Sequence, residues 1–166
     1  MDVALWYNES TMQTENAGIK GEFRITKLTA KGDVVYSTDW TKNLVVSSNA
    51  VGRNLIARQL AGITATPIAI TKMTLSTNAT TPVVADTSLG GTQVDTDVQF
   101  TTVTTAGEAN VIDFSGFFTD IELANGTYNK IGVKMGAILL TSALLDTPIV
   151  KDSGEQFRID YRITIS

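Results

Sequence analysis

The sequence predicts an all-β fold: a single antiparallel β-sandwich of jelly-roll-like winding, over residues 19–166, with one surface helix at about 48–61 and an extended N-terminal arm over residues 1–18. Three observations predict it. The last segment, Phe157-Arg-Ile-Asp-Tyr-Arg-Ile-Thr-Ile165, alternates strictly, with Phe157, Ile159, Tyr161, Ile163 and Ile165 on one side and Arg158, Asp160, Arg162 and Thr164 on the other. Period-2 alternation marks a strand with one buried and one wet face. Other Thr- and Val-rich segments are separated by turn residues, and only one segment carries a helical period. A length of 166 residues suffices for one domain with a sizeable core.

Taken in order, residues 1–18 have no clear period. Leu5, Trp6 and Tyr7 sit there among polar residues, and adjacent aromatics outside a core point to a docking role, so these three are the candidate partner-binding residues. Residues 21–30 read as a strand with Phe23 and Ile25 inward, Lys31-Gly32-Asp33 as a turn, and Val34-Val35-Tyr36 as the returning strand. Trp40 and Leu44-Val45-Val46 are expected to extend the core. Within residues 47–62, Val51, Leu55, Ile56 and Leu60 share half of a helix circumference, with Ser48 or Asn49 as the expected N-cap and Gly62 as the terminator.

Further strands are expected at 68–76, 94–104, 109–118, 128–135, 137–145 and 156–165. Two of them change parity midway, at Ile70 to Met73 and at Phe100 to Val103, which calls for bulges or bends. A hairpin loop is expected at 104–110, a turn at Ala124-Asn125-Gly126-Thr127, and, over the polar residues 76–93, an excursion between sheets or an exposed loop.

Composition narrows the chemistry. The net charge is −4, with Lys and Arg scattered, which is unfavourable for binding a phosphate backbone, so no nucleic-acid partner is expected. There is no Cys and no His. That removes thiol catalysis, thiolate metal sites, the commonest general base and the usual serine triad. No apolar run approaches the ~20 residues of a membrane helix, and the N-terminus has neither a basic region nor an apolar run of the secretory kind. A soluble chain made in the cytoplasm is expected, non-enzymatic and with neither cofactor nor metal.

The remaining candidate sites are carboxylates and lysines. Asp86, Asp95 and Asp97 could hold a hard cation but lack the spacing of a calcium loop. Glu108, Asp113, Asp120 and Glu122 could supply a glycosidase-type pair, yet nothing in the sequence separates their acidities. Lys130 and Lys134 could meet an acidic neighbour or serve as charge on the solvent face of a β-rich protein.

The segment Tyr128-Asn-Lys-Ile-Gly-Val-Lys-Met135, then Pro148-Ile-Val-Lys151 with Gly154, then the alternating final strand, resembles accessory structural proteins of tailed bacteriophages, of the head-decoration or tail-fibre type. Asn43-Leu-Val-Val46, the helix and Thr81-Pro-Val-Val-Ala-Asp-Thr-Ser-Leu-Gly90 share the likeness, which covers roughly residues 40–166. The resemblance implies a virion protein on the capsid surface or at a fibre base, working through contacts with other virion proteins and with itself, a trimer being the simplest assembly. A glycan-binding adhesion module is the alternative, and a carboxylate-dependent hydrolase a more distant one.

Overall fold

The computed structural model describes residues 18–106 and 109–166. Among these residues the chain forms β1 (Ile19–Leu28), β2 (Val34–Ser37), β3 (Thr41–Lys42), β4 (Leu44–Val45), β5 (Ser47–Ser48), β6 (Val51–Gly52), α1 (Arg53–Leu60), β7 (Ile70–Ser76), β8 (Gln93–Ala106), β9 (Ala109–Phe118), β10 (Gly126–Met135), β11 (Ile138–Lys151) and β12 (Gln156–Ile165). The pairing is antiparallel throughout, in the order β2-β1-β12-β9-β8-β7-β10-β11-β4, with β3 also on β1.

One curled sheet therefore supplies both layers. β8 makes the corner: Asp97 still pairs with Lys72 of β7, and from Val98 onward the strand pairs only with β9. At the opposite side the short run through β3 and β4 pairs first with β1 and then with β11, bridging the two layers again. The expected all-β sandwich with one helix is what the chain adopts. The two layers are joined through one bent strand, an order that does not in itself establish jelly-roll winding.

The core lies between the layers. From the first layer come Phe23, Ile25, Phe114, Phe118, Phe157, Ile159, Tyr161 and Ile163, all buried. From the second come Met73, Leu75, Ile131, Val133 and Met135. The Tyr161 ring stacks between those of Phe23 and Phe114, at centroid distances of 6.3 and 5.1 Å. β12 behaves as its alternation predicts, except that Ile165 at its end is 42% exposed.

Bulges account for the parity changes. Phe100 faces Phe114 and Thr102 faces Asp113, so Thr101 is the extra residue and Val103 returns to the face of Phe100. On β7, Ile70 faces Met135 and Lys72 faces Lys134. Thr71 is left over there, and its hydroxyl oxygen accepts the Gly136 N–H at 3.0 Å. A larger bulge lies in β11, where Tyr128 pairs with Ile149 and Lys130 with Leu144. Pro148 falls inside it, where its missing N–H costs no ladder bond. β11 thus runs six residues beyond the expected 145, through Pro148 to Lys151.

The helix is shorter than expected, starting at Arg53 instead of about residue 48. Ser47 and Ser48 pair instead with Gly52 and Val51 in a small hairpin, with Ala50 at φ 57 in its turn. Asn54 accepts the Ala50 N–H at 2.8 Å, and Gly52 takes the N-cap position without a side-chain cap, so neither Ser48 nor Asn49 is the cap. Gly62 ends the helix as expected: at φ 67 it donates to Gln59 O, and Ile63 donates to Arg58 O. Leu55 is buried, whereas Leu60 is 82% exposed and takes no part in the core.

Residues 77–92 form a largely exposed loop, as expected, that also covers part of the outer face of the second layer. Leu89 is fully buried with Val46 and Leu139 in a second, small apolar cluster. The cover is held by Asn78 Nδ2 to Leu89 O (2.7 Å), Ser47 N to Val84 O (2.7 Å), Asn129 Nδ2 to Thr77 O (2.8 Å) and the Ser76 hydroxyl to Gly90 O. Gly132 lies beneath it, where a Cβ would come within 3.0 Å of Leu89 and 2.6 Å of the Thr141 carbonyl.

Candidate functional site

The wet face of the first layer is built by three adjacent strands whose outward residues meet in register. Arg24 of β1 lies opposite Asp160 of β12, and Arg162 of β12 lies opposite Asp113 of β9. Asp160 receives Arg24 Nη2 at 2.8 Å and Arg158 Nε at 2.8 Å. Asp113 receives Arg162 through two bonds, at 2.7 and 3.3 Å, the forked geometry that suits a guanidinium. Trp40 sits against this network, its ring centre 5.2 Å from the Arg24 guanidinium and 5.1 Å from that of Arg162. At 38% exposure Trp40 belongs to this surface, which corrects its expected place in the core. It lies in the irregular stretch between β2 and β3, where no periodicity could assign it a face.

Beside this network an open cleft of about 640 Å³ is lined by Asp97, Gln99, Phe117, Glu122 and Arg158. Phe117 is 40% exposed there. A shallower hollow of about 150 Å³ holds Trp40 with Arg24, Arg158 and Arg162.

The edge of the same layer is the second feature. Beyond Val98, β8 has β9 on one side and, among the described residues, no strand on the other. Residues 99–104, Gln-Phe-Thr-Thr-Val-Thr, are all exposed and carry no charge. Phe100 is 54% and Val103 70% exposed, on the core-side face in register with Phe114 and Ile112. The Phe100 ring lies 5.6 Å from that of Phe114, so the apolar surface of the core continues out to this edge.

The carboxylates singled out in the sequence do not converge. Lys134 lies 2.7 Å from Asp95, and Lys72 lies 2.5 Å from Asp97. Asp86 accepts the Val83 N–H at 3.0 Å. Among the described residues no group of three or more acidic, His or Cys side chains is arranged to hold a metal ion. Partial burial, the largest single effect, pushes Asp95 up, but the bonds to Lys134 and Thr74 and the charges of Lys134 and Lys72 together outweigh it and hold the carboxyl below its ordinary range.

Asp113 is forked to Arg162, and both Thr119 N and Oγ1 donate to Glu122, at 3.1 and 2.8 Å. The Lys151 ammonium and the Gly154 N–H hold Asp120 below its ordinary range, the opposite direction to that required of a general acid. Glu108, with Leu5, Trp6 and Tyr7, lies outside the described residues.

The two lysines part company. Lys134 is ion-paired at the surface, but Lys130 is 2% exposed, its Nζ donating to Thr80 Oγ1 at 3.1 Å beneath the 77–92 cover. Lys151 is also buried, bonded to Asp120, to Asp152 O at 2.6 Å and to Asn125 Oδ1 at 3.3 Å. It ties the turn after β9 to the turn before β12.

Comparison of the chain with protein-family models, with curated proteins and with solved structures finds no match.

Proposed function

We propose that this chain is a non-enzymatic structural protein of a tailed-phage virion, placed on the capsid surface or at a fibre base, and that it works through contacts with other virion proteins and with copies of itself. The observation that carries the assembly role is the free edge of β8, uncharged and with Phe100 and Val103 exposed on it. An uncharged edge of this kind is a template for pairing with another chain. The phage class rests on the resemblance through Ile131-Gly132, Pro148 to Lys151 with Gly154, and the final strand. The engagement of Asp113 by Arg162 and of Asp120 by Lys151 supports a non-catalytic role.

The test is to probe purified phage particles with the labelled protein and to inspect the particle map for its density. Binding to one particle component, with density at a head or fibre-base position, is the expected result. No affinity for any component, together with no density, overturns the reading.

The second reading, a glycan-binding module, is favoured by the cleft holding Phe117, Arg158 and Glu122 beside the exposed Trp40. Aromatic faces next to hydrogen-bonding groups suit a sugar ring. A glycan array separates the readings: hits abolished by Trp40→Ala or Phe117→Ala favour adhesion, and a blank array removes it.

A further inference from the structure

The β8 edge and the N-terminal segment are complementary in chemistry and in position. Residues 99–104 offer open backbone donors and acceptors with neither charge nor Pro to discourage pairing, and the bulge at Thr101 is the one blunting feature on that stretch. Phe100 and Val103 would lie under the inward side chains of any added strand. Residues 1–17 contain Asp2, Glu9 and Glu15 but no Lys or Arg. Their one apolar stretch is Val3-Ala-Leu-Trp-Tyr7, in which Val3, Leu5 and Tyr7 alternate with Ala4 and Trp6. An uncharged edge accepts such a segment without repulsion, and its β-branched and aromatic content suits a strand.

Position decides whose edge it is. Gly18 and Ser166 exchange backbone hydrogen bonds at 2.5 and 3.0 Å, at the end of the layer where β8 also finishes. β12 and β8 run in one direction, β1 and β9 in the other. The space beyond β8 is four strand spacings from β1, roughly 19 Å. A chain folding back onto its own edge by a short return would run parallel to β8. To run antiparallel it would have to cross the layer diagonally, roughly 28 Å, with the eleven residues from Tyr7 to Gly18 near their limit of ~36 Å. A neighbour's segment has no such restriction and can pair antiparallel, the more stable mode.

We propose that residues 2–7 of one copy add to the 98–104 edge of a neighbouring copy as an antiparallel strand, with Leu5 and Tyr7 over Phe100 and Val103. This rests on the reading of the chain as an assembly protein and names the contact between copies. The exchange is head-to-tail, so it closes into a ring when the rotation between copies permits.

The chain has no Cys, so engineered thiols report without background. One preparation carries Leu5→Cys and another Val103→Cys, and the two are mixed with a short bis-maleimide. A cross-linked heterodimer is expected, and it should be absent when Asp146→Cys replaces Val103→Cys. A chain carrying both Leu5→Cys and Val103→Cys that yields only an intramolecularly linked monomer overturns the exchange, as does the absence of any cross-link. Removal of residues 1–8 should reduce the mass by light scattering to that of a single shortened chain, and Val103→Lys, at an exposed position that tolerates the change, should reduce it to the 17.8 kDa of one full chain. An unchanged mass in both variants also overturns it. Particle binding is measured separately: cross-linking without particle binding leaves the exchange standing and removes the virion role, and the reverse result removes the exchange alone.

Discussion

The hydroxyl of Tyr161 on β12 lies 2.6 Å from the hydroxyl of Thr141 on β11, a hydrogen bond between the two layers in the middle of an otherwise apolar core. Thr141 also accepts the Val133 N–H at 3.2 Å. The substitutions at the two ends should therefore be unequal. Tyr161→Phe removes one bond and leaves Thr141 serving Val133, at a cost of about 1 kcal/mol. Thr141→Val strands both the Tyr161 hydroxyl and the Val133 N–H, at a cost of about 2–4 kcal/mol. Denaturant unfolding of the two variants checks the order.

The same phenol contributes to the alkaline limit of stability. Burial pushes the Tyr161 hydroxyl well above its ordinary pKa, against a smaller opposing effect of the Thr141 bond. The folded state thus holds this proton more tightly than the unfolded chain. The stability associated with it is complete below the unfolded value of about 10 and is lost as pH rises beyond it. Melting temperatures between pH 9 and 11.5 (roughly one unit either side of that value) should fall less steeply in Tyr161→Phe than in the parent chain.

At the acid end the sign reverses. Asp120 and Asp95 are held below their ordinary range, by Lys151 with the Gly154 N–H and by Lys134 respectively. Their contribution is present above about pH 4 and is lost as pH falls through the depressed folded values. Asp120→Asn should flatten the acid limb of a melting-temperature profile. It should also be more damaging at neutral pH than Lys151→Met, because it leaves a buried ammonium without its carboxylate, whereas Lys151→Met removes the buried charge itself.

Gly132 is required by what lies on it. A Cβ there would meet the Thr141 carbonyl at 2.6 Å, and that backbone atom cannot swing aside. Gly132→Ala should lift Leu89 and the 77–92 cover from the second layer, and proteolysis should then cut within residues 80–88 several-fold faster. Leu89→Ala should produce the same opening with a stability loss of about 2–5 kcal/mol, as expected for a truncated buried leucine.

How far the sequence carried the fold depended on whether one residue's surroundings came from its own strand. Phe157, Ile159, Tyr161 and Ile163 were readable because alternation alone assigns their face. The bulges at Thr71 and Thr101 were readable as breaks in parity, since one extra residue swaps the faces on either side. Lys130 was not readable. Its burial comes from residues 77–92, fifty positions away at Thr80, and local pattern makes a strand lysine look wet. Pro148 misled in the opposite direction: it signals a turn, yet the bulge of β11 absorbs it and the pairing continues. The site was legible only in part. The wet face of β12 was visible as Arg158, Asp160 and Arg162, but their partners Arg24, Asp113 and Trp40 come from two other strands and a connecting segment. The open edge of β8 depends on β7 pairing with it only from Lys72 onward, which no local signal records.

The continuity of β8 across the corner has a mechanical consequence. In a sandwich of two separate sheets, sliding one over the other is opposed only by interdigitated side chains. Here the covalent backbone of β8 crosses at one side and the run through β3 and β4 crosses at the other. Shear between the layers is therefore resisted by the chain itself. The compliant element left is β8 beyond the corner, where among the described residues the strand is paired with β9 alone, so that a load on the molecule would be taken up first there.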